Sequence, residues 1–220
     1  NFASSPSHAT EVAGVMVSTA TVTRGVAPAA HLYSAATYAT NASGGLATNV
    51  FQTNVVNAAF FLATNQQTRV INFSIRTDLP GFPSVGTNFT SRALDTLVSQ
   101  TSNTVVVAAG NTGPAPNTIT EPASAFNGIA VGAVTNLPGP TGVADFSARG
   151  YLSDGRSKPD ILAPGVNIFM PTYTNGAAIP STVRTYDDGT SFAAPHVAGV
   201  VARLLEAGAS NSFPNATVAQ

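Results

Sequence analysis

The stretch Gly189-Thr190-Ser191-Phe192-Ala193-Ala194-Pro195-His196-Val197-Ala198-Gly199 decides the fold of this chain. Val197, Val200, Val201, Leu204 and Leu205 carry it onward at helical spacing, which predicts a buried helix. Gly208 is placed to end that helix in a left-handed conformation. Pro195 is tolerated only near a helix start, so the helix opens close to Ser191. The first turn of a helix presents free N–H groups and the positive end of the dipole. A serine there can attack a carbonyl while backbone N–H groups receive the oxyanion, or it can simply cap the helix.

Upstream, short β-branched runs alternate with longer helical patterns. Val70 to Phe73, Val105 to Val107 and Ile129 to Val134 read as buried strands, and Leu32 and Tyr33 as part of another. Leu46 to Thr64 has helical spacing, and Leu94, Leu97 and Val98 mark a second helix with Thr90 or Ser91 as its cap. The alternation predicts an α/β fold, a three-layer, doubly wound and mostly parallel sheet with helices on both faces. No repeat or linker divides residues 1–220, which read as one domain, and 113–116 and 137–142 read as surface loops.

Composition narrows the function. The 220 residues are 44% hydrophobic and only 9% charged, with a formal net charge of -1, which gives a nucleic-acid partner no electrostatic support. With no cysteine, a disulfide scaffold, a cysteine nucleophile and thiolate zinc sites are excluded. No apolar run is long enough to span a membrane. The uncharged polar residues and the single lysine, Lys158, point to a secreted protein. A dinucleotide-binding protein is disfavoured, since no Gly-x-Gly-x-x-Gly follows an early strand.

A nucleophilic serine needs a base. His8 opens Ser7-His8-Ala9-Thr10-Glu11-Val12-Ala13-Gly14-Val15, where Val12 and Val15 share its helical face and would anchor a helix with His8 at its exposed start. His31 and His196 read as structural. Val105-Val106-Val107-Ala108-Ala109-Gly110-Asn111 reads as a strand ending in a Gly-Asn turn at the carboxyl edge of the sheet, where open α/β folds place their sites.

The eleven-residue serine string resembles the serine motif of the subtilases, the subtilisin-like serine proteases, and the chain is similar to that family from His8 to about Val218. The resemblance implies a serine endopeptidase with Ser191 as nucleophile, His8 as base and the Asn111 side chain as oxyanion donor. It implies a substrate-binding edge at Ser74 and Ile75, and a small-walled apolar primary pocket at Ala108, Ala109 and Gly110. Glu121-Pro122-Ala123 looks like the wall of that pocket. The sequence departs from the family pattern at Ala9 and Glu11, and at Ile75-Arg76-Thr77, where Arg76 would narrow the substrate edge or select acidic groups. Asp160 is read as structural.

The family's aspartate motif precedes the histidine, and residues 1–7 hold no acidic residue, so the triad's aspartate is expected outside this sequence. Residues 213–218 look like the start of a further helix, so the fold is expected to be incomplete at both ends and to need a complementing N-terminal segment. Glu11 is expected to be a solvated surface residue rather than a substitute for the aspartate. The implied partners are a peptide or protein substrate, with no nucleic acid and no membrane. No cofactor is required; structural calcium is a family trait that no acidic cluster here assigns to a site, and no metal ligand is named. The competing reading is a non-catalytic peptide-binding protein on a degenerate subtilase fold, favoured by the absent aspartate, Ala9 and Arg76.

Overall fold

The structure, a computed structural model, describes residues 6–37, 52–77, 85–135, 142–172 and 184–209. Its centre is a four-stranded parallel sheet in the order β1-β2-β3-β6, formed by β1 (Val70–Phe73), β2 (Thr104–Ala108), β3 (Ile129–Val134) and β6 (Ile161–Pro164). Between β3 and β6 the chain makes a small antiparallel hairpin of β4 (Gly150–Tyr151) and β5 (Ser157–Lys158). A second antiparallel pair, β7 (Ile168–Pro171) with β8 (Arg184–Asp187), leads to the last described helix, α4 (Thr190–Ala209).

The two-residue period of the strands divides the core. Val105 and Val107 point into one cluster with α2 (Gln52–Thr64) and α3 (Phe89–Thr101), while Val106, Ala108, Val131 and Ala133 point into another against Ala193, Ala194 and Ala198 of α4. Val105, Val106 and Val107 are fully buried, and each such valine contributes about 1.5–3 kcal/mol relative to exposure. α4 crosses one face of the sheet and α2 and α3 cover the other, giving three layers. α1 (Pro6–Val17) packs on α4 and β7 through Val12, Val15, Ile168, Met170 and Phe192.

β1 and β3 occupy the residues their β-branched runs predict, and β2 extends its run by one residue at each end. Several expectations are corrected. Thr90 and Ser91 lie inside α3, buried, and Asn88 is its N-cap residue, with no side-chain capping bond. Leu32, Tyr33 and His31 form no strand and are exposed. Pro195 lies beyond the first turn of α4, and Gly208 lies inside that helix, which continues to Ala209. Only its first half is buried; Val200 and Leu204 are exposed. Glu11 is buried and accepts a hydrogen bond from Thr172 Oγ1 at 2.5 Å, across 161 residues of chain. The first residues of the helix expected over 46–64, most of the loop expected over 137–142 and the helix start expected at 213–218 lie outside the described residues.

Candidate active site

All parallel strands end on one edge, and α4 begins there. Two glycines let the pieces meet. Gly189 N donates to Gly165 O at 2.8 Å, and a Cβ on Gly165 would lie 2.6 Å from Ala133 Cβ and 2.9 Å from Gly189 O, so only a glycine lets the start of α4 sit this close to the sheet. Gly110 has φ +112, a region that side-chain-bearing residues rarely adopt, and this turns the chain sharply after β2.

That turn delivers Asn111 to Thr190. The Asn111 Oδ1 accepts from Thr190 N at 3.0 Å and from Thr190 Oγ1 at 2.8 Å. Thr190 Oγ1 in turn accepts from Gly110 N at 3.2 Å. Since the threonine hydroxyl has one proton and a backbone N–H can only donate, the network fixes the amide: oxygen toward Thr190, nitrogen away from it. The Nδ2 lies 3.4 Å from the point where a Cβ of Gly189 would stand. An asparagine donor is thus held one residue from the helix-opening serine, and Ser191 follows Thr190 directly.

His8 lies in the first turn of α1, half-buried, with its ring 5.6 Å from that of Phe192 at an interplanar angle of 50°. Phe192 adjoins Ser191, so the packing of α1 on α4 brings the histidine to the serine's end of the helix. Burial lowers the His8 pKa from its ordinary 6.5, and the carboxylates of Glu11 and Asp187 oppose that shift. Asp187, the last residue of β8, plays no part in the sequence reading, since its proximity to His8 depends on how the β7–β8 pair folds back. His196 is used by its own helix: its Nδ1 lies 2.8 Å from Phe192 O, and burial lowers its pKa as well.

The remaining predicted residues fall on the same edge. Ser74 and Ile75 follow β1, Ala108 ends β2, and Ala109 and Gly110 follow it. Ala109 is fully buried and Thr120 lies over it, with Thr120 Oγ1 donating to Ala109 O at 3.1 Å. A Cβ on Gly110 would come within 2.5 Å of that hydroxyl, so the wall beside Gly110 is closed by Thr120. Glu121 is fully buried and takes hydrogen bonds from Ser91 and Ser124. Thr77 N donates to Glu121 O at 2.8 Å, which ties the chain after β1 to this wall. Asp160 is occupied with Ala130 N at 2.7 Å and Lys158 Nζ at 2.6 Å. Among the described residues no group of three or more histidines, aspartates and glutamates is arranged to hold a metal ion.

Beside the histidine lies a cleft of about 470 Å³ between β1, α1, α2 and residues 32–37. Its lining is mainly apolar, with Val12, Val55, Ala59 and Ile71 among the buried residues. Asn72 also lines it, and its buried Oδ1 has no hydrogen-bond partner among the described residues. Among the described residues β1 is the edge strand on this side, paired with β2 alone.

The subtilase family model matches residues 1–220, and the chain belongs to that family. It is 34% identical to subtilisin DY of Bacillus licheniformis over 202 residues, covering 90% of this chain and 63% of that protein. It is 32% identical to pyrolysin of Pyrococcus furiosus over 215 residues, covering 86% of this chain and 14% of that protein. Among solved structures, sphericase superposes with a TM-score of 0.71 at 28% identity, covering 96% of this chain and 65% of that one. The chain therefore spans less than two thirds of the length of these relatives.

Proposed function

We propose that this chain is the serine-bearing part of a serine endopeptidase, acting on peptides or proteins outside the cell. The observation that carries the proposal is the Asn111–Thr190 network, which holds an amide donor beside Ser191 at a helix N-terminus. In this reading the Ser191 hydroxyl attacks the peptide carbonyl and gives its proton to His8. Asn111 Nδ2 and the Ser191 N–H receive the oxyanion. The His8 imidazolium then protonates the leaving amine, and water, deprotonated by His8, releases the acyl group and restores the serine. Every step uses groups of the chain and water, so the reaction needs no cofactor. The lowered pKa of His8 supports the role, since a base must be neutral before the attack. Ala108, Ala109 and Gly110 would line the primary pocket, and the closure of its wall by Thr120 favours a small apolar side chain. The half-buried Arg76, beyond β1, would bias the substrate edge toward acidic groups.

A complementing extended segment would occupy the cleft beside β1. The edge of β1 that no described strand covers, the apolar lining, and the Asn72 Oδ1 without a partner among the described residues all favour a backbone that donates hydrogen bonds there. An aspartate on that segment would orient His8. The buried Glu11 is already engaged by Thr172 and is not available in its place.

The test is turnover of a chromogenic peptide by the full-length protein and its Ser191→Ala and His8→Ala variants. Hydrolysis abolished by either substitution supports the proposal. A full-length protein that binds the peptide but does not cut it would favour a peptide-binding subtilase relative instead.

A further inference from the structure

Pro195 creates a problem at the nucleophile. In an α-helix the N–H of residue i+4 donates to the carbonyl of residue i, and the residue four beyond Ser191 is Pro195, which has no N–H. The Ser191 carbonyl therefore lacks its regular helical donor at the residue whose geometry matters most. The structure provides a substitute from another layer: Ser74 Oγ donates to Ser191 O at 2.7 Å, across 117 residues of sequence. Ser74 Oγ also lies 3.0 Å from Asn72 Nδ2. A carbonyl oxygen only accepts, so the one hydroxyl proton is committed to Ser191. The Ser74 oxygen must then accept from the Asn72 amide. The result is a directed relay, Asn72 Nδ2–H to Ser74 Oγ–H to Ser191 O, running from the buried end of β1 to the serine backbone. Ser74 is 9% exposed, so water does not readily replace it.

We propose that Ser74 is a positioning residue for Ser191, its hydroxyl supplying the hydrogen bond that Pro195 denies to the nucleophile's carbonyl. This goes beyond contact of Ser74 with substrate, which would use its backbone while the side chain points into α4. The assignment rests on Ser191 being the nucleophile. The relay fixes the peptide plane that follows Ser191 and so the backbone from which its hydroxyl projects.

The experiment compares Ser74→Ala, Ser74→Thr and the double variant Ser74→Ala/Pro195→Ala in the full-length protein. It measures kcat and KM on a chromogenic peptide and the rate of inactivation by a fluorophosphonate. A displacement of the attacking atom costs about tenfold to a hundredfold in rate. Ser74→Ala is expected to lower kcat by that amount with KM nearly unchanged, and to slow inactivation in parallel. Ser74→Thr, which keeps the hydroxyl, restores the rate. Pro195→Ala in the Ser74→Ala background returns an N–H to position 195 and recovers most of the loss. The double variant also keeps the test readable where Ser74→Ala alone folds poorly. A Ser74→Ala enzyme with the parent kcat, or a loss that restoring the 195 N–H leaves in place, overturns the assignment. Failure of the parent protein to react with the fluorophosphonate would instead overturn the protease reading itself.

Discussion

Replacing Thr190 with valine isolates the device that holds Asn111, the proposed oxyanion donor. Valine keeps the shape of the side chain and removes only the hydroxyl, at a site 1% exposed. Two hydrogen bonds disappear: the one to Asn111 Oδ1 at 2.8 Å and the one from Gly110 N at 3.2 Å. Gly110 N–H, at a half-buried position, loses its acceptor at a cost of about 1–3 kcal/mol, and the bond to Asn111 adds about 0.5–1.5 kcal/mol. The expected destabilisation is therefore about 2–4 kcal/mol. Asn111 keeps one tether, from Thr190 N at 3.0 Å, so its amide gains freedom to turn without being released. The ceiling on the catalytic effect is complete loss of the donor, roughly 10²–10³ in kcat, a figure measured in subtilisin, a member of the same family. Thr190→Val should fall between the parent and that ceiling, with KM little changed. Stability is read by denaturant unfolding on a Ser191→Ala background, which prevents self-digestion, and kcat on a chromogenic peptide. The decisive comparison is the double variant with Asn111→Ala: if Thr190 acts through the amide, the second substitution should add little to kcat. Equal losses in both backgrounds, or an unchanged kcat in Thr190→Val, would refute the reasoning.

Three other outcomes follow from the geometry. Because Asp187 raises the His8 pKa against the lowering by burial, Asp187→Asn should move the acid limb of kcat/KM to lower pH; a limb that moves up would contradict the charge assignment. His8 and His196 both have lowered pKa values, so the unfolded chain binds more protons than the folded one between the folded pKa and the unfolded value near 6.5. Stability should thus be retained above that window and decline as pH falls through it, and His196→Gln should flatten the decline measured by denaturant titration. Lys158→Met should destabilise the fold by about 1–3 kcal/mol, less than for a fully buried ion pair because Asp160 is 41% exposed; a neutral result in denaturant unfolding would mean that the bonds to Gly128 O and Asp160 are not needed.

The parts of this fold that local sequence carries are those that depend on local chemistry. Val70–Phe73 and Ile129–Val134 are short runs of residues suited to buried strands, and their limits are where the structure puts them. Gly110 and Asn111 end β2 because that turn needs φ > 0 at Gly110. What local sequence does not carry is the partner. Leu32 and Tyr33 have strand-like chemistry, but a strand needs a neighbouring edge, and here the segment lines a cleft opposite β1 instead. The apolar spacing of Val200 and Leu204 marks one side of α4 without saying what covers it. Glu11 looks solvated beside His8 on its own helix, and only the arrival of Thr172 after β7 shows it to be buried. The same holds at the site. The serine string locates Ser191, whereas the tether of Asn111 to Thr190 spans 79 residues and the bond from Ser74 to Ser191 spans 117. Thr190 stood in the motif from the start, but its role became visible only when β2 and α4 met.

We propose that Ser191 is a nucleophile activated by His8. The most direct test is reaction of the full-length protein with a fluorophosphonate, followed by mass spectrometry of the digested adduct. The phosphonyl group is expected on the peptide bearing Ser191, with Ser191→Ala unlabelled and His8→Ala labelled far more slowly than the parent. Labelling at another serine, labelling that survives Ser191→Ala, or a rate indifferent to His8 would contradict the claim.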